Sequence, residues 1–153
     1  MTAAQRLVAV AAAGSAALLL GAFAFQHLGG LAPCKMCLWQ RWPHAAAVLV
    51  GALALWRPAR GLAVAGAVAA LTTAAIGLYH TGVERAWWQG PDSCSSAATA
   101  GLSAKELMDQ ILTAPLVRCD EVAWAFAGLS MASWNAVLAL ALALIWLLAA
   151  RAG

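Results

Sequence analysis

Acidic side chains are scarce in this chain. Six Asp and Glu stand among 153 residues, all of them between Glu84 and Glu121, so the first 83 residues carry no negative side chain at all. Charge of both signs makes up 10% of the chain and hydrophobic residues 64%, which is far from the balance of a soluble globular domain. Nine Lys and Arg give a net charge of +3, but they lie singly at the ends of apolar runs, so they do not form a nucleic-acid footprint. There is no internal repeat and no disordered linker, and the length allows one domain.

What fills the chain is long uncharged sequence. Four runs, at about 7–28, 38–56, 61–83 and 130–150, are each long enough to cross the roughly 30 Å hydrocarbon core as a helix. Only the second holds a charge, Arg41 near its start. A bilayer offers no partner to free backbone groups, so helices are the expected form. The first run has a rival reading as a signal peptide, with Arg6 before it and Ala22-Phe23-Ala24 near its end. Its apolar core exceeds the 7–15 residues usual for such a segment, which favours a retained span. Gly61, Gly66, Ala70 and Ala74 belong to a third run rich in small residues, which lets helices approach closely. The expected architecture is all-α, a four-transmembrane-helix bundle forming a single membrane domain over 1–153.

Orientation follows from charge. Four spans put both termini on the side of the short loop 57–60, and that side carries Arg6, Arg57, Arg60 and Arg151 with no acid. Basic short loops favour the cytoplasm. Tryptophans gather near both sets of span ends, as indole rings do at the headgroup level; singly, any of them could equally be packing. The loop from about 84 to 129 is the one sizeable extramembrane piece. Within it Ser103 and Glu106 form a capping box flanked by Leu102 and Leu107. An apolar face at Leu107, Met108, Ile111 and Leu112, ended by Pro115, predicts a short amphipathic helix on the membrane surface, or packed on the bundle.

The chemistry lies in four cysteines. Cys34 and Cys37 form a C-x-x-C between the first two spans, and Cys94 and Cys119 lie in the long loop, so all four fall on the non-cytoplasmic side. In bacteria that side is oxidising. A zinc site of four cysteines normally uses two close pairs, and here the second pair is far apart in sequence. Structural disulfides are a second reading, but a C-x-x-C closes too short a loop to make a useful staple. The same spacing suits redox work, in which one thiol attacks and its neighbour resolves. Cys37 opens the second span, where the helix N-terminus favours an anion, and Arg41 follows one turn deeper on the same face. Both predict a lowered thiol pKa at Cys37. Arg41 as a snorkelling anchor is the bland alternative; an ionisable group inside a span more often marks a site. His27, His44 and His80 lie at outer span ends. Two of them could hold haem in a helical bundle, which would leave the cysteines unexplained. His27 reads as an interfacial residue.

Several stretches together resemble the DsbB family of bacterial inner-membrane disulfide-forming proteins. They are Cys34-Lys35-Met36-Cys37-Leu38-Trp39-Gln40-Arg41, Tyr79-His80-Thr81-Gly82-Val83-Glu84, Gly90-Pro91-Asp92-Ser93-Cys94, and Cys119 with Gly128-Leu129-Ser130-Met131 downstream. The resemblance runs over essentially the whole chain. It implies a thiol:quinone oxidoreductase of the inner membrane, with the cysteines periplasmic, that reoxidises a DsbA-like thioredoxin-fold partner. It implies that the partner attacks a Cys94–Cys119 disulfide at Cys94, that Cys119 pairs with Cys34, and that Cys37 faces a quinone, ubiquinone or menaquinone, beside Arg41 and His80. It implies neither metal nor haem, and no nucleic acid. Some members carry an acid where this chain has Gln40. A DsbI-like paralogue with a dedicated partner shares these features. In vitamin K epoxide reductase-like enzymes the loop pair precedes the C-x-x-C, the reverse of the order here. A membrane protein with purely structural disulfides would resist mild reductant, which redox-active pairs would not.

Overall fold

The computed structural model describes residues 1–91, 94, 103, 105, 108 and 117–153. Four long helices account for most of them: α1 (Ala3–His27), α2 (Lys35–Trp56), α3 (Arg60–Glu84) and α4 (Met131–Ala152). A two-stranded antiparallel hairpin, β1 (Ala125–Phe126) and β2 (Leu129–Ser130), leads into α4. Most of the surface helix expected from Ser103 to Pro115 lies outside the described residues.

Local sequence explains where the helices start. Thr2 and Gln5 form a reciprocal capping box at α1, with side-chain bonds of 3.2 and 2.9 Å. Ser130 caps α4 by accepting from the Ser133 amide at 3.2 Å. At α2 the cap is a cysteine: the Cys34 Sγ accepts from the Cys37 amide at 3.1 Å. The first turn of α2 is therefore built on the C-x-x-C itself. The hairpin turns through Ala127 and Gly128, both with positive φ (50° and 77°), as a tight two-residue connection requires. The sequence reading took these residues for plain loop. Alanine at the first turn position gives no signal of the Asn-Gly kind, and two-residue strands carry no alternation.

Helices α1, α3 and α4 are each long and apolar enough to cross a membrane. Helix α2 has the length, but its first ten residues include Lys35, Gln40, Arg41 and His44. The protein is thus a helical, multi-pass membrane protein with three candidate spans among the described residues, where its runs predict four. Each helix packs on its two neighbours in a ring, α1–α2–α3–α4, with the contact between α3 and α4 the most extensive. One half of the interior is a core of small residues around Trp146, which is fully buried. Ala67, Ala70, Ala143 and Ala149 surround it, so helices approach closely and gain dispersion contacts that lipid tails do not supply. The other half is where the cysteines lie.

Candidate functional site: four cysteines beside an apolar cavity

All four cysteines meet in one buried cluster with Met36 and Val83. Cys94 and Cys119 are joined as a disulfide, their Cα atoms 5.4 Å apart. Cys34 and Cys37 are free thiols with their sulfurs 2.6 Å apart. The start of α2 and the long loop therefore deliver a dithiol and a cystine to one place, one electron pair apart in oxidation state.

The thiol pair shares a proton unequally. Both residues lie ahead of the apolar run that begins at Leu38. The hydrogen bond between the sulfurs pushes Cys34 far above the ordinary thiol range, with burial adding to it. The same bond lowers Cys37, although burial opposes it. The lowering at Cys37 thus comes chiefly from the bond to Cys34, and only in the last place from Arg41, whose charge also acts in that direction. The sequence had credited Arg41 and the helix end. In fact the guanidinium turns toward α1: it donates to Gln26 Oε1 at 2.5 Å and to the Ala22 carbonyl at 3.3 Å, and lies over the Phe23 ring. Sequence spacing fixed the face of α2 that Arg41 occupies but not the direction of a long side chain.

His80, on α3, stands beside the pair. Its Nε2 lies 3.1 Å from the Cys119 carbonyl and 3.6 Å from the Cys34 sulfur, so one ring touches both cysteine pairs. Its Nδ1 lies 3.1 Å from the Gln40 amide nitrogen. Behind Gln40 comes a residue the sequence reading passed over. Asn135, on α4, donates to Gln40 Oε1 at 2.8 Å, and its own Oδ1 meets His44 Nε2 at 2.8 Å. The signal available was an uncharged amide inside an apolar run, which has to find a partner in the protein. His27 joins none of this; it stacks on Phe23 at the end of α1.

Cys34, Cys37 and His80 bring two sulfurs and Nε2 within 4.8 Å of one another. Two thiolates on one zinc stand about 3.8 Å apart, given Zn–S bonds of about 2.3 Å in a tetrahedron. The observed pair is closer than that, at bond-forming range. The arrangement is that of a dithiol.

A cavity of about 420 Å³ opens against the pair. Its walls are mostly apolar side chains of α1 and α4, with Leu18 and Phe25 among them, and Trp124 and Phe126, just before and within the hairpin, also line it. Cys37, Gln40, Arg41, His44 and His80 supply its polar side. Phe25 and Trp124 pack at 5.1 Å between ring centroids, which ties the hairpin to α1. A small planar molecule with an oxygen at one edge fits such a chamber: apolar walls for the ring and a few convergent donors for the oxygen.

The family model described as disulfide bond formation protein DsbB matches residues 4–149, nearly the whole chain. The chain belongs to the DsbB family. Its curated relatives include disulfide bond formation protein B of Pasteurella multocida, 35% identical over 81% of this chain and 74% of that one. The protein of the same description from Acidovorax sp. (strain JS42) is 30% identical over 89% and 81%. That of Albidiferax ferrireducens is 29% identical over 93% and 87%. No solved structure matches the chain. Membership makes the chain a disulfide-generating oxidoreductase.

Proposed function

We propose that the protein oxidises a soluble, DsbA-like thioredoxin-fold partner in the periplasm and passes the electrons to a membrane quinone. The observation that carries this reading is the cystine and dithiol meeting at one end of an apolar cavity with a polar edge. On this reading α2 also spans, the protein is a four-span bundle of the bacterial inner membrane, and both termini face the cytoplasm. A reporter inserted at 57–60 is expected on the cytoplasmic side; a periplasmic signal there overturns the orientation.

The steps balance in sulfur bonds and electrons. The partner's thiolate attacks Cys94, forming a mixed disulfide and releasing Cys119 as a thiolate. With Cys34 and Cys37 oxidised, Cys119 attacks the Cys34 sulfur and Cys37 leaves as a thiolate. The partner's second thiol resolves the mixed disulfide and frees Cys94. Cys94 then attacks Cys119, restoring the loop cystine and leaving Cys34 and Cys37 reduced. A quinone in the cavity supplies the sink for two electrons and two protons as the Cys34–Cys37 bond re-forms. Arg41 and His80 line the cavity; Arg41 would donate to a ring oxygen, while the Nε2–H of His80 is directed at the Cys119 carbonyl. The test is the purified protein with quinone and a reduced thioredoxin-like partner, followed by quinone absorbance. Bleaching that needs all three components supports the reading, and none with active partner and quinone overturns it.

Arg41 gives a graded test. Arg41→Ala is expected to weaken quinone turnover about 10- to 150-fold, the worth of one charge-assisted contact at about 1.5–3 kcal/mol. Arg41→Lys keeps the charge but not the fork, and recovers part of the loss. Partner oxidation in a single turnover without added quinone stays near normal. Unchanged quinone kinetics in Arg41→Ala would reduce Arg41 to an anchor on α1.

A further inference from the structure

The hydrogen bonds behind the thiol pair have a direction. Gln40 Nε2 donates to the Met36 carbonyl at 3.2 Å, which fixes which end of that amide is nitrogen. Asn135 Nδ2 lies 3.4 Å from the Thr73 carbonyl and 3.2 Å from its hydroxyl, which fixes the second amide. With both set, every link points one way. His44 Nε2–H donates to Asn135 Oδ1, Asn135 donates to Gln40 Oε1, and Gln40 donates to His80 Nδ1. An Nδ1 that accepts leaves the ring proton on Nε2, and the Cys119 carbonyl at 3.1 Å independently calls for a donor there. The Cys34 sulfur is the second acceptor of that N–H, at 3.6 Å, and Cys34 in turn faces Cys37.

We infer that Gln40 and Asn135 are positioning residues: they lock the His80 tautomer so that a chain of donors, running from Asn135 through Gln40 and His80, ends on the Cys34 sulfur, which in the proposed cycle leaves as a thiolate when Cys94 attacks Cys119. Each donor polarises the next, and the strengthening accumulates in a buried site. Gln40 is the pivotal link because an amide both donates and accepts. A carboxylate at this position only accepts, so His80 would turn its proton to Nδ1 and offer Cys34 a lone pair. The Cys34 S–H would then be drawn to His80 and away from Cys37. The charged groups that line the cavity near the pair are Arg41 on α2, Glu84 on α3, and Arg118 and Glu121 from the loop; the lining residues of α1 and α4 bring none.

The inference rests on Cys34 leaving as a thiolate in the proposed cycle, and its test needs neither quinone nor partner. Full-length protein labelled with nitrogen-15 in histidine, in detergent micelles under mild reductant, reports the His80 tautomer by chemical shift, with His80→Ala to assign the signal. The wild-type ring is expected to carry its proton on Nε2, and Gln40→Glu to move it to Nδ1. Gln40→Met, of similar shape and without donors, is expected to let part of the ring population move its proton to Nδ1, and Asn135→Leu a smaller part. A wild-type proton on Nδ1 overturns the inference, and so does a Gln40→Glu ring that keeps its proton on Nε2. The wild-type tautomer decides the matter if the variants do not fold. Failure of the quinone assay with these results intact would count against the proposed acceptor and leave the positioning role standing.

Discussion

Cys94→Ser is expected to abolish oxidation of the partner while leaving the folded bundle and the proposed quinone site in place. The loop cystine is the oxidant that the partner would meet, and without Cys94 there is no disulfide to attack. The effect is all-or-none, because a hydroxyl cannot form the mixed disulfide. The bundle should survive, since its packing rests on α1 to α4 and on the Trp146 core, away from the loop. Two measurements check this: single-turnover partner oxidation, expected at background, and quinone binding by purified protein, expected near the wild-type value. Partner oxidation at the wild-type rate would mean that the two cysteine pairs have been given each other's roles.

Trp146→Ala is expected to cost about 3 kcal/mol of stability in detergent. That is the low end of the range for removing a large aromatic from a soluble core, because lipid already supplies the apolar transfer term and only packing is lost. Trp146 is fully buried, and the structure has made room for it. A Cβ at Gly66 would stand 2.5–2.6 Å from three atoms of the indole, and one at Gly51 would lie 3.5 Å from its far edge. Gly66→Ala alone should therefore destabilise by overpacking, by about 1–3 kcal/mol. Combined with Trp146→Phe, the same alanine should be less harmful than alone, since contacting residues do not add independently. Thermal unfolding in micelles of the two single variants and the pair measures all three terms. Stability unchanged in Trp146→Ala would remove the indole from any structural role.

The fold was legible because a bilayer demands continuous apolar length. The run expected at 130–150 became Met131–Ala152, and that expected at 61–83 became Arg60–Glu84. The meeting of the cysteines was legible too, since topology alone puts the C-x-x-C and the long loop on one side. Which thiols are bonded was not readable from spacing; it entered with the family resemblance and stands in the structure as Cys94–Cys119. The polar chain was invisible for a plainer reason. Gln40 and Asn135 meet across 95 residues of sequence, and His80 reaches Gln40 across 40. No local pattern records such a pairing. Arg41 shows the complementary limit: helical spacing gives the face, while the neighbour it binds, Gln26, depends on how α1 is set against α2.

The unequal division of the bundle has an electrical meaning. Thiols, imidazoles and amides occupy one half, and the other is an apolar core of alanine, valine and leucine around one indole. A membrane enzyme that moves protons during turnover endangers the ion gradient if water can file through it. On the proposed cycle the apolar core beyond the site serves as insulation between the proton chemistry and the opposite face. Enlarging Trp146's place to a void, as in Trp146→Ala, would thin that insulation as well as loosen the fold.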